Sequence, residues 1–206
     1  MKYYKLLSCA LLALAMQAAL WGKPPQDKNS SVLRNAVILV IRHAEKPATG
    51  ESLSAAGEAR AQAYVNYFRN FTIDGQPLKL DYLIATTDSS NSHRPRLTLE
   101  PVAKALGIKI DGRFNDNQFQ ALAQELQSRP PGTNILICWH HGQIPQLLRA
   151  LGADPKKLLP NAKWPDDEYG WLLQLRYDAN GRLFESKRIN ENLAPDDPGN
   201  PAPAKP

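Results

Sequence analysis

Ala36-Val37-Ile38-Leu39-Val40-Ile41 and, far downstream, Asn134-Ile135-Leu136-Ile137-Cys138-Trp139 decide the fold. Both runs are continuously apolar and rich in β-branched residues. That is the pattern of a strand covered on both faces, not the alternation of a half-exposed one. Asp81 to Thr86 (DYLIAT) reads as a further strand of the same kind, and Ile108 to Ile110 as a short one. Helices are expected between them. Ser54 to Asn70 is alanine-rich with Ser54 as N-cap, and Arg96 to Leu106 is stopped by Gly107. Two more are expected over Asn117 to Gln127 and, with Pro145 in its first turn, over Ile144 to Leu151. Alternating strands and helices predict an α/β fold: a three-layer α/β/α sandwich with a largely parallel central sheet. Near the end, Gly170 to Tyr177, the turn Asp178-Ala179-Asn180-Gly181 and Arg182 to Arg188 read as a β-hairpin at the sheet edge.

The 206 residues carry 25 Lys+Arg against 20 Asp+Glu and are 43% hydrophobic. That composition excludes a wholly disordered chain, a collagen-like repeat and a disulfide scaffold. The net charge of +5 is dispersed along the chain and gives no sign of a nucleic-acid partner. At the start, two lysines precede the uncharged apolar run Leu6 to Leu20, with small residues near Ala18 and Ala19. This is the pattern of a secretory signal peptide over residues 1–19, with cleavage between 18 and 22. The run is shorter than the ~20 residues that span a bilayer, so no stable membrane anchor is expected after cleavage. The expected location is periplasmic or secreted. Residues 20–35 read as a linker, 36–193 as the folded domain, and the proline-rich 194–206 as a disordered tail. Cys138 lies within an apolar strand and reads as a buried core thiol. The sequence leaves the oligomeric state open.

In open α/β sheets, ligands bind beyond the carboxyl ends of the strands. Arg42-His43 ends the first strand, His140-His141-Gly142 ends NILICW, and Arg94 opens the helix after DYLIAT. Two guanidiniums can hold a phosphoryl group bidentately, while imidazoles supply a nucleophile and a hydrogen-bond donor. One such strand end would mean little. Three converging on one rim suggest phosphoryl chemistry.

The same segments resemble the histidine phosphatase superfamily, which includes the phosphoglycerate mutase-like enzymes. Val37 to Lys46 (VILVIRHAEK) is similar to its Arg-His-Gly/Ala signature, and Leu53 to Ala61 (LSAAGEARA) to its Leu-Ser/Thr-x-x-Gly helix start. Arg94-Pro95-Arg96-Leu97-Thr98 resembles the Arg-x-x-x-Thr segment, and Leu136 to Gly142 the strand bearing the second histidine. The resemblance implies a phosphoglycerate mutase-like fold. It implies a metal-independent phosphatase without a cofactor, acting on a phosphomonoester. The short span from Arg94 to the strand of His141 leaves little room for a large cap and suggests an open site for a small or surface-presented phosphate. His43 would be the nucleophile, and Arg42, Arg94 and His141 would line the phosphate pocket. His141 is taken over His140 because it immediately precedes Gly142.

A general acid must protonate the leaving alkoxide, and the resemblance does not place it. Asp116 is the first candidate, with helix N-capping as its competing reading; Asp111, Asp88 and Glu45 also stand. Glu45 would otherwise orient an arginine, His93 reads as a solvated loop residue, and Asp166-Asp167-Glu168 as a solvated turn. Trp164, Tyr169 and Trp171 are expected to pack the edge strand onto the sheet, with one wall of a pocket as the competing reading. Two further functions fit parts of the pattern. One is a non-catalytic phosphate- or phosphoprotein-binding module on the same fold. The other is a metal-dependent hydrolase built on His140 and His141, which alternation along a strand disfavours by pointing them apart.

Overall fold

A computed structural model describes residues 32–194 and Asp197. The signal-peptide reading, the linker up to residue 31 and the rest of the tail fall outside the described residues. The sheet holds β1 (Val37–Arg42), β4 (Tyr82–Thr86), β5 (Ile110–Phe114), β6 (Asn134–Trp139), β7 (Trp171–Tyr177) and β8 (Leu183–Asn190). A separate two-stranded ribbon is made by β2 (Thr72–Ile73) and β3 (Gln76–Pro77). The helices are α1 (Ala55–Arg69), α2 (Arg94–Leu106), α3 (Phe119–Leu126), α4 (Ile144–Ala150) and the single turn α5 (Pro155–Leu158). Strand order is β5-β4-β6-β1-β7-β8. The first four strands are parallel, and β7 runs antiparallel to β1 and pairs with β8 as the predicted edge hairpin.

Alternation along the buried strands sorts the core into two layers. Leu39, Ile41, Leu83, Leu136 and Cys138 pack with Tyr64 and Phe68 of α1 and Leu99 and Val102 of α2. Ile38, Val40, Ile84, Ile135 and Ile137 face the other way, onto Leu122 and Leu126 of α3 and Leu147 and Leu148 of α4. The α/β/α sandwich expected from the apolar runs is therefore present. Cys138 is a fully buried free thiol, as its setting suggested, and burial raises its pKa well above the ordinary value.

The boundaries differ where local hydrogen bonding overrides pattern. The strand expected over 108–110 occupies Ile110–Phe114 instead, because Gly107 caps α2 at φ 68° and the Ile108 amide still bonds the Ala103 carbonyl. α2 begins at Arg94, with Pro95 in the first turn, where its missing N–H costs nothing. The domain also starts before residue 36. Leu33 is buried in the α3/α4 core layer, Arg34 accepts from the Gly132 amide, and Asn35 donates to Asp178. At the other end the expectation of a disordered tail is not met at Asp197, which is buried and bonded to Arg60.

Candidate active site

β1 and β6 are parallel and equally long, with Arg42 paired to Trp139. The next residues, His43 and His140, therefore emerge side by side at the carboxyl rim. The His43 amide donates to the Trp139 carbonyl at 3.1 Å, and the two imidazoles meet edge-on with centroids 5.3 Å apart. His43 is 3% exposed. Its Nδ1 lies 2.8 Å from the Ala44 carbonyl, which can only accept, so Nδ1 carries the proton and Nε2 is left with its lone pair. Burial pushes the His43 pKa down to about 3. The bond to Ala44 opposes this, and the charges of His140, Arg42 and Arg94 add to it. The ring is thus neutral and oriented with its lone pair at Nε2, chiefly through burial, with the arginine neighbours adding less.

Arg42 is fully buried. Its Nη1 donates to the carbonyls of Pro165, Asp166 and Glu168 at 3.1, 2.8 and 2.8 Å, and its Cζ lies 3.9 Å from the centre of the Tyr169 ring. Nε and Nη2 are buried without a protein partner. Unpaired buried donors on a permanently charged fork are costly unless an anion completes them. Arg94 is tied by Nη1 to Gly50 and by Nη2 to Asn91, and its Nε is also buried without a partner. Its charge acts on both His43 and His140. Thr98 links this helix to the first strand: its buried hydroxyl accepts from the Ala44 amide at 2.9 Å and donates to the Arg94 carbonyl at 2.8 Å.

The α1 start supports the same loop. Ser54 caps the helix by accepting from Gly57, and its amide donates to the Glu45 carbonyl. Gly57 is required by proximity, since a β-carbon there would lie 2.3 Å from the Glu45 oxygen. Glu45 does orient an arginine, but it is Arg60 of α1 and not Arg42, at 2.7 Å. Arg60 is buried among Glu45, Asp197 and Glu191, and Tyr64 donates to Glu191 at 2.8 Å.

Of the candidate acids, Asp111 is paired with Arg113, Asp88 with Arg96 and Glu45 with Arg60. Asp116 stands apart from these ion pairs. It is half-buried, and its backbone carbonyl accepts from the Trp139 indole. It is not the N-cap of α3; that position is Gln118. His140, passed over in the sequence for its neighbour, is the histidine packed against His43. Burial lowers its pKa. His141 is turned to Asp166, with Nε2 2.9 Å from Oδ1. His93 sits half-buried at the α2 N-cap, its amide donating to Glu51. Trp164 and Trp171 do pack in the core, 5.6 Å apart, but Tyr169 does not. It is half-buried between Arg42 and His43, 6.2 Å from the His43 ring, and walls the site. Among the described residues no cluster of three or more His, Cys, Asp or Glu side chains is placed to hold a metal ion, and no helix is long and apolar enough to cross a membrane.

No family model matches the chain, and no curated protein does. Solved structures do. The protein histidine phosphatase SixA complexed with tungstate is 16% identical, with 77% of this chain and 99% of that one covered at a TM-score of 0.48. A phosphoserine phosphatase from Entamoeba histolytica with phosphoserine is 12% identical, covering 73% and 96% at 0.49. Phosphoglycerate mutase from Plasmodium falciparum is 16% identical, covering 73% and 89% at 0.50. The chain shares with that enzyme its mixed α/β fold, a mostly parallel sheet between layers of helices.

Proposed function

We propose that this protein is an exported, metal-independent phosphatase that hydrolyses phosphomonoesters through phosphohistidine at His43. One observation carries the reading: a buried imidazole with Nε2 free lies beside two arginines whose buried N–H groups lack partners. Such a set of donors suits a tetrahedral dianion. Nε2 attacks phosphorus in line, the P–O bond to the leaving group breaks, and Asp116 gives the departing alkoxide its proton. Water then attacks phosphorus as the P–N bond breaks, Asp116 takes the water proton, and inorganic phosphate leaves with His43 restored. Arg42 and Arg94 balance the charge that a metal ion balances in other phosphotransferases. His140, flanking His43, completes the phosphate wall. The substrate is a small or surface-presented phosphomonoester. Export rests on the basic start and apolar run of the first twenty residues.

The test is phosphate release from p-nitrophenyl phosphate in EDTA by residues 20–206, beside the His43→Ala variant. EDTA-resistant release that vanishes in the variant supports the reading. Tight phosphate binding without turnover, across a substrate panel, would make the protein a binding module instead.

A further inference from the structure

The turn that follows α5 has no part in the chemistry just described, yet it makes most of the contacts to Arg42. Resting on the phosphatase reading, we propose that the turn from Trp164 to Tyr169 is a clamp that aims Arg42. In it His141 is a positioning residue that latches the clamp through Asp166 and does not touch phosphate.

Three observations carry this. First, a guanidinium is a rigid planar fork, so fixing one nitrogen and the tilt of the plane fixes the remaining donors. The carbonyls of Pro165, Asp166 and Glu168 hold Nη1, and the Tyr169 ring lies over Cζ at 3.9 Å and supports the fork from its face. The donors left over, Nε and Nη2, are those buried without partners.

Second, the turn is itself held at several points. The Trp164 indole donates to the Glu168 carbonyl at 2.8 Å, and the Glu168 carboxylate accepts from the Gly170 amide at 2.7 Å. His141 joins the turn to the residues just past β6. The two strand ends that supply His43 and His140 are thereby connected to the segment that aims Arg42.

Third, the polarity of His141 is wrong for a phosphate ligand. Its Nε2 lies 2.9 Å from a carboxylate oxygen, so that nitrogen carries the proton. Burial and the charge of Arg42 favour the neutral ring, although Asp166 opposes them. A neutral imidazole has a single N–H. Its Nδ1, buried without a partner, is then an acceptor and would repel a phosphate oxygen.

Calorimetry with inorganic phosphate and turnover of p-nitrophenyl phosphate test the clamp on wild type, Asp166→Ala, His141→Ala, the double variant and His141→Gln. Asp166 has a solvent-exposed side chain, so the latch is a hydrogen bond of modest worth. Asp166→Ala should weaken phosphate binding and raise KM by about three- to tenfold, with a smaller effect on kcat. His141→Ala should match it, the double variant should be no worse than either, and His141→Gln, which keeps an N–H donor, should recover most of the loss. A silent Asp166→Ala beside a His141→Ala that loses kcat overturns the proposal, because His141 would then act on the phosphoryl group itself. Phosphate affinity reads the clamp even if turnover is nil. Weakened binding in Asp166→Ala therefore supports the clamp, and unchanged binding overturns it, whatever becomes of the catalytic reading.

Discussion

Thr98→Val exchanges a hydroxyl for a methyl of nearly the same shape at a fully buried position, and its consequences follow from two hydrogen bonds. The Thr98 Oγ1 accepts from the Ala44 amide at 2.9 Å and donates to the Arg94 carbonyl at 2.8 Å. Valine fills the space but leaves the Ala44 N–H buried with nothing to bond. An orphaned buried donor costs about 1–3 kcal/mol. For a domain of this size each kcal/mol lowers Tm by about 2–4 °C, so a midpoint loss of roughly 2–12 °C is expected. The catalytic effect has a separate origin. The Ala44 carbonyl holds the His43 ring at Nδ1, so freeing the Ala44 peptide loosens the aim of Nε2. Thermal unfolding by circular dichroism and turnover of p-nitrophenyl phosphate read the two effects. Thr98→Ser, which keeps the hydroxyl, should retain kcat even though losing the buried methyl costs about 1 kcal/mol of stability. A Thr98→Val protein that melts and turns over like wild type would refute the idea that this hydroxyl ties Arg94 to His43.

Other changes test other joints. Gly57→Ala drives a β-carbon to 2.3 Å from the Glu45 backbone oxygen, so α1 must shift away from the loop; chemical denaturation should show a loss of at least about 1–3 kcal/mol, with reduced activity. Arg60→Met leaves the carboxylates of Glu45 and Asp197 without their shared cation, and urea unfolding should show a cost of about 3–5 kcal/mol. The pH dependence of Tm has two opposed arms. The folded state refuses a proton at His43 that the unfolded chain binds, so stability falls as pH drops from 6.5 towards about 3, and the lowered His140 and His141 act in the same direction. Burial raises Glu191 from 4.5 to about 8, so the folded state keeps a proton that the unfolded chain releases, and stability falls as pH rises across that interval. Tm measured across pH should therefore peak between them, and Glu191→Gln should flatten the alkaline arm; an unchanged alkaline slope would remove Glu191 as its cause.

Much of the fold was legible because parallel strands buried on both faces leave an unbroken apolar run, and β1 and β6 do so in Val37 to Ile41 and Ile135 to Trp139. The Ser54 cap and the Gly107 stop were legible because local chemistry decides them. β5 was placed early because Ile110 to Phe114 includes Asp111, Gly112 and Arg113, polar and exposed enough to hide an edge strand. The two-residue strands β2 and β3 are too short to show a period. His43 and the two arginines could be read from their places at strand and helix ends. His140 was passed over because adjacency to Gly142 was weighed and strand register was not. Six-residue runs each followed by a histidine already put His140 opposite His43, had the two been aligned end to end. Arg60 with Asp197 and Tyr169 with Arg42 join segments far apart in the chain, and no local pattern announces such pairs. Composition spoke for a disordered tail, and a single carboxylate buried on Arg60 is invisible to composition.

The central claim is that His43 carries the phosphoryl group. Rapid acid-free quenching of the protein during turnover of a phosphorus-32-labelled monoester, with and without His43→Ala, measures this directly. The account predicts a base-stable, acid-labile label on wild type, mapped to the peptide containing His43, and none on the variant. Steady release of phosphate with no such label, or an equal label on His43→Ala, would contradict it.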